Sequence, residues 1–469
     1  MRILKFGGSS VGTPEAIKKV VSIIEGKQKQ DSVAVVVSAF RGVTDSLLRG
    51  AELAASGSSE YDDLIHELEE RHIDVIRECI SVYRQSEVIA HFKMTLNELE
   101  DILTGVFLVR ELTPRTMDFI VSFGERFSAY ILSWCLTDNG VPAGFTDARE
   151  FIKTDIRFGS ARVLMEQTYR NIRDYFNTRK ELQVVTGFIA STEKGETSTL
   201  GRGGSDYTAS ILGAALGVDL IEIWTDVNGL MTADPRKVKQ AFTIPELSYE
   251  EAMELSHFGA KVIYPPTLQP AMKAGIPIVI CNTFNPEFPG TRIEQQPKGK
   301  NGIIKGLSSI ENIALVTVRG SGMIGVSGIA ARIFKALAEA GINIIMITQA
   351  SSEHTICLAI LSKFAKDAQR VIEDEFRIEI MEESIDRVLI EDDMCIIAVV
   401  GDHMQRTPGI AGLVFQAIGK NEINIVAIAQ GSSERNISFI VNKNDEAGAM
   451  TALHDAFFSK AVASGRTSH

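Results

Sequence analysis

Ile3-Leu4-Lys5-Phe6-Gly7-Gly8-Ser9-Ser10, followed by the helix-period segment Pro14–Glu25 and the apolar run Val33–Val37, is the stretch on which the fold turns. It reads strand, glycine turn, helix, strand. Runs of four to six apolar residues without alternation are buried on both faces, which is the pattern of strands in a parallel sheet. The same signature recurs at Val184–Ile189, Leu220–Trp224 and Ile276–Cys281, and Ser205–Leu216 supplies another helix-period segment between such runs. Strand–helix alternation of this kind predicts an α/β domain, a mostly parallel sheet sandwiched by helices, with ligands gathered at the C-terminal ends of the strands.

Working outward, the region from about 58 to 112 is acidic and amphipathic. Leu64, Leu68, Ile73 and Ile76 recur at helical spacing, so it reads as a helical insertion in a first domain spanning 1–300. Pro286–Pro289 and the polar stretch Glu294–Gly302 mark the end of that domain. Beyond it lies an internal repeat. Gly328-Ile329-Ala330 recurs as Gly409-Ile410-Ala411, Phe334 as Phe415, and Ile342-Asn343-Ile344 as Ile423-Asn424-Ile425. Gln349-x-Ser351-Ser352-Glu353 recurs as Gln430-x-Ser432-Ser433-Glu434, and every pair keeps one spacing with no gap. Two copies of one unit predict a pseudo-symmetric pair at 313–390 and 394–460, with 461–469 as a small polar tail. Gly320-Ser-Gly322-Met-Ile-Gly325 matches a dinucleotide fingerprint in form only. No acid ends the following strand, and the repeat partner, Gly401-Asp-His-Met-Gln-Arg406, lacks the later glycines.

The 469 residues suit about three domains, and 45% hydrophobic with 23% charged residues is ordinary for a globular chain. A formal net charge of −12 argues against nucleic-acid and anionic-membrane partners, though one small basic pocket in an acidic surface still suits an anionic substrate. The five cysteines are scattered and no Cys/His cluster occurs, so neither a metal site nor a disulfide framework is indicated. The N-terminal apolar run is too short for a signal peptide and no 18-residue apolar stretch occurs, which predicts a soluble, cytoplasmic protein.

Two glycine turns carry the chemistry. After the first strand, Gly7 and Gly8 let backbone N–H groups approach phosphate oxygens, and Lys5 at the strand end can place a charge on a transferring phosphate. No Walker A sequence occurs. Gly201-Arg202-Gly203-Gly204-Ser205-Asp206 opens a second helix; Arg202 offers a planar fork to a carboxylate, while Ser205 and Asp206 equally suit simple helix capping. Trp224-Thr225-Asp226, Asp234-Pro235-Arg236, Phe258-Gly-Ala-Lys261 and Ser122-Phe-Gly124-Glu125 add charged groups that could each be ordinary surface.

Taken together, Lys5-Phe-Gly-Gly-Ser-Ser, Gly124-Glu125, Gly187-Phe188, Leu200–Tyr207, Trp224-Thr-Asp-Val and Phe258–Lys261 resemble the aspartate kinases of the amino-acid kinase family, in order and spacing, over essentially the whole chain. The repeat resembles that family's paired ACT regulatory domains, each a βαββαβ unit, and Ile423–Arg435 is most similar to the kinase half of bifunctional aspartokinase–homoserine dehydrogenases. The resemblance implies phosphorylation of the β-carboxylate of L-aspartate by ATP with Mg²⁺. It implies that Lys5 stabilises the transferring phosphoryl group and that Asp206 completes the catalytic pair. Thr44, Glu125, Arg202 and Ser205 would hold aspartate, Glu125 on its ammonium and Arg202 on its α-carboxylate. Gly7, Gly8, Ser9, Thr225, Asp226, Met231, Arg236 and Lys261 would hold ATP. Met231 stands where the family usually has tyrosine, and Tyr264 where histidine is common. Asn343, Gln349, Asn424 and Gln430 would read an amino-acid effector, threonine before lysine, and the ACT pair implies a homodimer or higher homo-oligomer. The competing expectations are a sister kinase acting on glutamate or acetylglutamate, and a catalytically silent amino-acid sensor; retention of Lys5 and Asp206 speaks against the second.

Overall fold

The computed structural model describes residues 1–257, 263–297, 302–349, 354–402, 404, 407–430 and 435–463, the last four without their side chains. The described chain divides into two compact units. One comprises 1–230, 245–249 and 262–299, and the other 231–244, 250–261 and 300–469.

The first unit is built on an eight-stranded sheet. Its strands in chain order are β1 (Arg2–Phe6), β2 (Val33–Val37), β3 (Ala143–Thr146), β5 (Leu182–Thr186), β8 (Leu220–Thr225), β9 (Glu246–Ser248), β10 (Ile278–Asn282) and β11 (Thr291–Glu294). A small second sheet holds β4 (Lys153–Thr154), β6 (Ile189–Thr192) and β7 (Thr197–Thr199). The main sheet runs β3-β5-β2-β1-β8-β10-β11-β9, all parallel neighbours except the β10–β11 pair. Strand β2 is buried throughout and β1 from Ile3 onward, as their apolar runs require. β1 leads to β2 on one side, whereas β8 flanks its other side. That reversal is where an open α/β sheet leaves a crevice beyond its strand ends, and the turn Gly7–Ser10 sits at it.

Helices α1 (Pro14–Gln28), α2 (Val43–Ser56), α3 (Tyr61–Cys79), α4 (Val82–Val109), α5 (Pro114–Asp138), α6 (Met165–Asn177) and α7 (Gly204–Leu216) complete the layers. Thr13 caps α1 through Ala16 N, with Pro14 at its first position. The expected insertion is the antiparallel pair α3 and α4. Leu68 and Ile76 of α3, and Val88, Phe92, Leu96, Leu99 and Leu103 of α4, are buried against α2 and α5. No described helix is long and apolar enough to cross a membrane.

The second unit carries the repeat. A six-stranded sheet is ordered β13-β14-β12-β15-β17-β16, where β12 is Ile304–Arg319, β13 Met346–Gln349, β14 Thr355–Leu361, β15 Leu389–Gly401, β16 Ala427–Ala429 and β17 Asn436–Asn442. Helix Ile329–Glu339 corresponds to Ile410–Lys420, and β14 corresponds to β17, residue for residue at the repeat spacing. Gly328 and Gly409, the residues before the paired helices, both take positive φ, 97° and 93°. The copies share their two longest strands: Ile313–Arg319 of β12 pairs with β14, and Ile304–Ile310 of the same strand pairs with Ile396–Gly401 of β15. The sheet's edge strands also meet, since the Thr348 hydroxyl donates to the Ile428 carbonyl (3.2 Å).

Segment 231–244 is embedded in the second copy. Ala233 and Val238 join the core of Val399, Val414, Phe439 and Leu453. Thr232 shares a hydrogen bond with the buried His454 (3.0 Å), and the Lys237 ammonium contacts both Glu446 and Glu311 at 2.5 Å. Burial alone would depress Lys237, but the two carboxylates outweigh it and raise its pKa. Removing one partner strands a nearly buried Glu446. Lys237→Met is therefore expected to cost about 2 kcal/mol of stability, below the usual 3–5 for a fully buried pair because Glu311 is half-exposed. Denaturant unfolding of wild type and variant checks this, and an unchanged transition contradicts it.

Candidate active site

The site is assembled from five chain crossings at the C-terminal ends of the parallel strands. Gly7 N donates to the Trp224 carbonyl (3.0 Å), Ser38 N to Phe6 O (3.1 Å) and Gly187 N to Val37 O (2.8 Å), so the turns after β1, β2, β5 and β8 are stitched edge to edge. The buried Ser10 hydroxyl adds bonds to the Trp224 carbonyl (3.2 Å) and to Thr283 Oγ1 (2.7 Å). Above them opens a cleft of about 550 Å³ lined by Lys5, Gly8, Ala39, Thr44, Asp118, Glu125, Phe188 and Gly201–Asp206. A second cleft, about 510 Å³, lies at the other ends of the strands beside Val33 and Leu182 and contains none of the expected site residues.

Two glycines are dictated by close approach. A Cβ on Gly8 would stand 2.8 Å from the Ala39 carbonyl oxygen, and a Cβ on Gly124 would stand 2.7 Å from the Ala39 Cβ. The segment Ser38–Arg41 is thus clamped between the first glycine turn and α5. From there Ala39 N donates to Glu125 Oε1 (3.1 Å).

Glu125 is buried, and its second oxygen, Oε2, has no partner. Burial pushes its carboxyl up to about 8; the bond from Ala39 and the charge of Lys5 oppose that rise without cancelling it. Lys5 Nζ lies 2.6 Å from Asp206 Oδ1, and both side chains are nearly buried. The pair is a charge contact rather than an aligned hydrogen bond, since Oδ1 has no well-directed donor. Asp206 belongs to the first turn of α7, whose N-terminus favours an anion. The capping alternative for Ser205 and Asp206 does not hold. The N-cap is Gly203, at φ 71°, with no side-chain cap bond, so both side chains are left to the cleft. Arg202 is exposed, its guanidinium 5.9 Å from the Tyr264 ring.

Lys5, Gly8, Thr44, Glu125, Arg202, Ser205 and Asp206 are therefore brought together in one cleft. Gly7 and Ser9 lie in the same turn, half-buried, and Thr225 and the exposed Asp226 end the adjacent β8. Met231 and Arg236 belong to the second unit, where Arg236 is engaged by Asp234 (2.6 Å). Lys261 lies outside the described residues. Asn343, Gln349, Asn424 and Gln430 are all exposed, at or beside the matching strands β13 and β16; the Ser-Ser-Glu triplets that follow lie outside the described residues. Among the described residues no cluster of three or more His, Cys, Asp or Glu could hold a metal.

Two lining residues escaped the sequence reading as site residues. Phe188 takes φ 65°, a left-handed conformation that a bulky residue adopts only under constraint. Asp118 is buried on α5 and accepts bonds from Gly159 N and from the Thr199 amide and hydroxyl. Burial raises its carboxyl, and those bonds restrain the rise.

With the fold and cleft defined, comparison identifies the class. A model of the amino acid kinase family matches residues 1–282, more than half of the chain, so the chain belongs to the amino acid kinase family. An ACT-domain model matches twice, at 316–376 and 397–457. Its relatives in the family are aspartokinases. Chloroplastic aspartokinase 1 of Arabidopsis thaliana is 35% identical over 468 residues, 97% of this chain and 80% of that protein. Bifunctional aspartokinase/homoserine dehydrogenase 2 of Zea mays is 36% identical over 460 residues, 97% of this chain and 50% of that protein. The chain spans about half the length of the bifunctional relatives it matches. Escherichia coli aspartokinase III, solved with aspartate and ADP, superposes with a TM-score of 0.82 at 28% identity over 98% of this chain and 100% of that one. The same enzyme solved with lysine and aspartate gives 0.79 at 28% identity, covering 98% and 99%.

The Glu125 carboxyl makes a prediction that is independent of any substrate. Its folded pKa of about 8 lies above the ordinary value of 4.5, so between those two pH values the folded state binds the extra proton and stability falls as pH rises. Glu125→Gln removes that term. Relative to wild type, the variant's melting temperature should shift upward between pH 5 and pH 9. A constant difference across that range would contradict the assignment.

Proposed function

We propose that this protein transfers the γ-phosphoryl group of ATP to the β-carboxylate of L-aspartate, giving 4-phospho-L-aspartate and ADP, and that its ACT pair makes the reaction answer to an end-product amino acid. The carrying observation is one cleft that holds a buried carboxylate oxygen on Glu125 without a partner among the described residues, an exposed guanidinium on Arg202 and the Lys5–Asp206 pair beside two glycine turns. An α-amino acid needs an anion for its ammonium and a cation for its carboxylate, and Glu125 and Arg202 are suited to those roles. The aspartate and ADP bound to the Escherichia coli relative support the same substrate and nucleotide here.

The nucleophile needs no general base, because an aspartate side chain is already ionised at neutral pH. A carboxylate oxygen bonds to the γ-phosphorus as the bond to the β,γ-bridging oxygen breaks, and catalysis reduces to positioning and charge stabilisation. Thr44 and Ser205 add hydroxyls around aspartate. Gly7, Gly8 and Ser9 supply backbone amides to the phosphates, and Lys5 meets the charge on the transferring group. Thr225 and Asp226 attend the nucleotide at the end of β8. Mg²⁺ accompanying ATP would supply positive charge against its phosphates. Burial pushes the Glu125 carboxyl up to about 8, so an ammonium bound beside it would favour the ionised form. Lys5→Ala should lower kcat about 10²–10³-fold while changing the KM for aspartate far less, as losing a contact made mainly in the transition state does. Steady-state kinetics with aspartate and ATP check this, and near-normal kcat would refute it.

Regulation rests on the matched positions in the two ACT copies. Gln349 and Gln430 each offer a side-chain donor and acceptor to a small polar ligand. The similarity to the bifunctional proteins favours threonine, and the lysine held by the Escherichia coli relative makes lysine the second reading. A cytoplasmic homodimer or higher homo-oligomer associated through the ACT pair suits this regulation. Effector and substrate must oppose each other reciprocally, typically by about 1–3 kcal/mol. Gln349→Ala or Gln430→Ala should raise the threonine concentration needed for inhibition and leave uninhibited turnover intact. Threonine and lysine titrations of wild type and both variants decide it. Inhibition by neither amino acid ends the regulatory reading, and variants that respond like wild type remove the glutamines from it.

A further inference from the structure

Helix α5 presents two buried carboxylates to the cleft, Asp118 and Glu125, seven residues apart. Seven residues turn an α-helix almost two full revolutions, so both lie on one face, about 10 Å apart along the axis. Their bonding is opposite. Glu125 keeps one oxygen without a partner. Asp118 is saturated: Oδ1 accepts from Gly159 N (3.0 Å) and Thr199 Oγ1 (2.9 Å), and Oδ2 from Gly159 N (2.8 Å) and Thr199 N (2.9 Å). Both of its oxygens are engaged by donors of the chain itself.

What Asp118 grips is the approach to Arg202. Thr199 ends β7, and three residues later the chain reaches the guanidinium. The second segment it holds, around Gly159, backs the same turn: a Cβ on Gly201 would lie 3.2 Å from Ser160 Oγ, and Ala161 N donates to Thr199 O (2.9 Å). Arg202 itself is exposed, with its guanidinium beside the Tyr264 ring (5.9 Å). Its position is set by its backbone, and that backbone is anchored by a charge-assisted acceptor.

We infer that Asp118 is a positioning residue for amino-acid recognition: by anchoring Thr199 and Gly159 to α5 it fixes the distance between the ammonium-reading Glu125 and the carboxylate-reading Arg202. The inference rests on the aspartate kinase reading above. One rigid helix then measures the span between a substrate's two α-substituents, and preorganisation of that span appears in substrate affinity rather than in the phosphoryl-transfer step.

The test is Asp118→Asn, which keeps shape but replaces one acceptor oxygen with a donor facing backbone N–H groups. The expected result is an aspartate KM raised about tenfold or more, as loss of hydrogen bonds to a charged group implies, with kcat and the KM for ATP within about twofold of wild type. Hydrogen exchange at the amides of Gly159, Thr199 and Gly204 should quicken in the variant. Thr199→Val, which removes only the hydroxyl donor, should shift the aspartate KM in the same direction by a smaller factor, and it serves if Asp118→Asn does not fold. An unchanged aspartate KM in the variants overturns the inference, and so does a parallel loss in kcat and both KM values, the mark of general loosening. Wild type that phosphorylates no aspartate would instead sink the functional reading; exchange at the three amides still decides whether Asp118 holds the turn, and unchanged exchange overturns it.

Discussion

The site depends on one interaction, the 2.6 Å contact between Lys5 at the end of β1 and Asp206 in the first turn of α7. These residues are far apart in sequence, and each sits beside its own glycine turn. A pair this close to fully buried adds little net stability, because the cost of desolvating both charges offsets their attraction. Its value is geometric: it sets two glycine turns side by side at the mouth of one cleft. The Lys5 ammonium and the Asp206 carboxylate meet within the lining of that cleft.

Around that pair the architecture leaves few choices. Strand β1 sits at the switch point of a parallel sheet, so its terminal turn faces the crevice. Segment Ser38–Arg41 fits only because Gly8 and Gly124 lack side chains, and its backbone then supplies the single donor that Glu125 accepts. The remaining Glu125 oxygen carries an unmet bonding capacity into the cleft. An isolated buried carboxylate is costly when ionised, which is why burial pushes this one up to about 8.

Much of this was legible in the sequence, for physical reasons that also mark the limit. The strands β1, β2 and β8 announce themselves as apolar runs, and the structure extends them by at most one residue at an end. The repeat spacing transfers helix onto helix and strand onto strand. The strands β4, β7 and β9 were invisible: two or three residues, mostly polar, carry no period. So was the first part of β12, which lies ahead of the repeat and pairs with its second copy, since non-local pairing leaves no local trace. Capping was an alternative for Ser205 and Asp206, and an offset of two residues between Gly203 and Ser205 removes it. Asp118 looked like any acid on a helix; its distance of seven from Glu125 was the available signal. Nothing local separates Met231 and Arg236 from the catalytic unit that precedes them, because their membership follows from Ala233, Val238 and Lys237 packing among residues two hundred positions away.

The central claim is that the cleft reads an α-amino acid through Glu125 and Arg202 and phosphorylates its side-chain carboxylate. Trapping the acyl phosphate with hydroxylamine, in parallel reactions containing ATP and either aspartate, glutamate or acetylglutamate, tests it most directly. The account predicts hydroxamate from aspartate and little from the other two, since glutamate places its carboxylate one methylene too far and acetylglutamate has no ammonium for Glu125. Product from acetylglutamate in preference to aspartate, or none from aspartate, would contradict it.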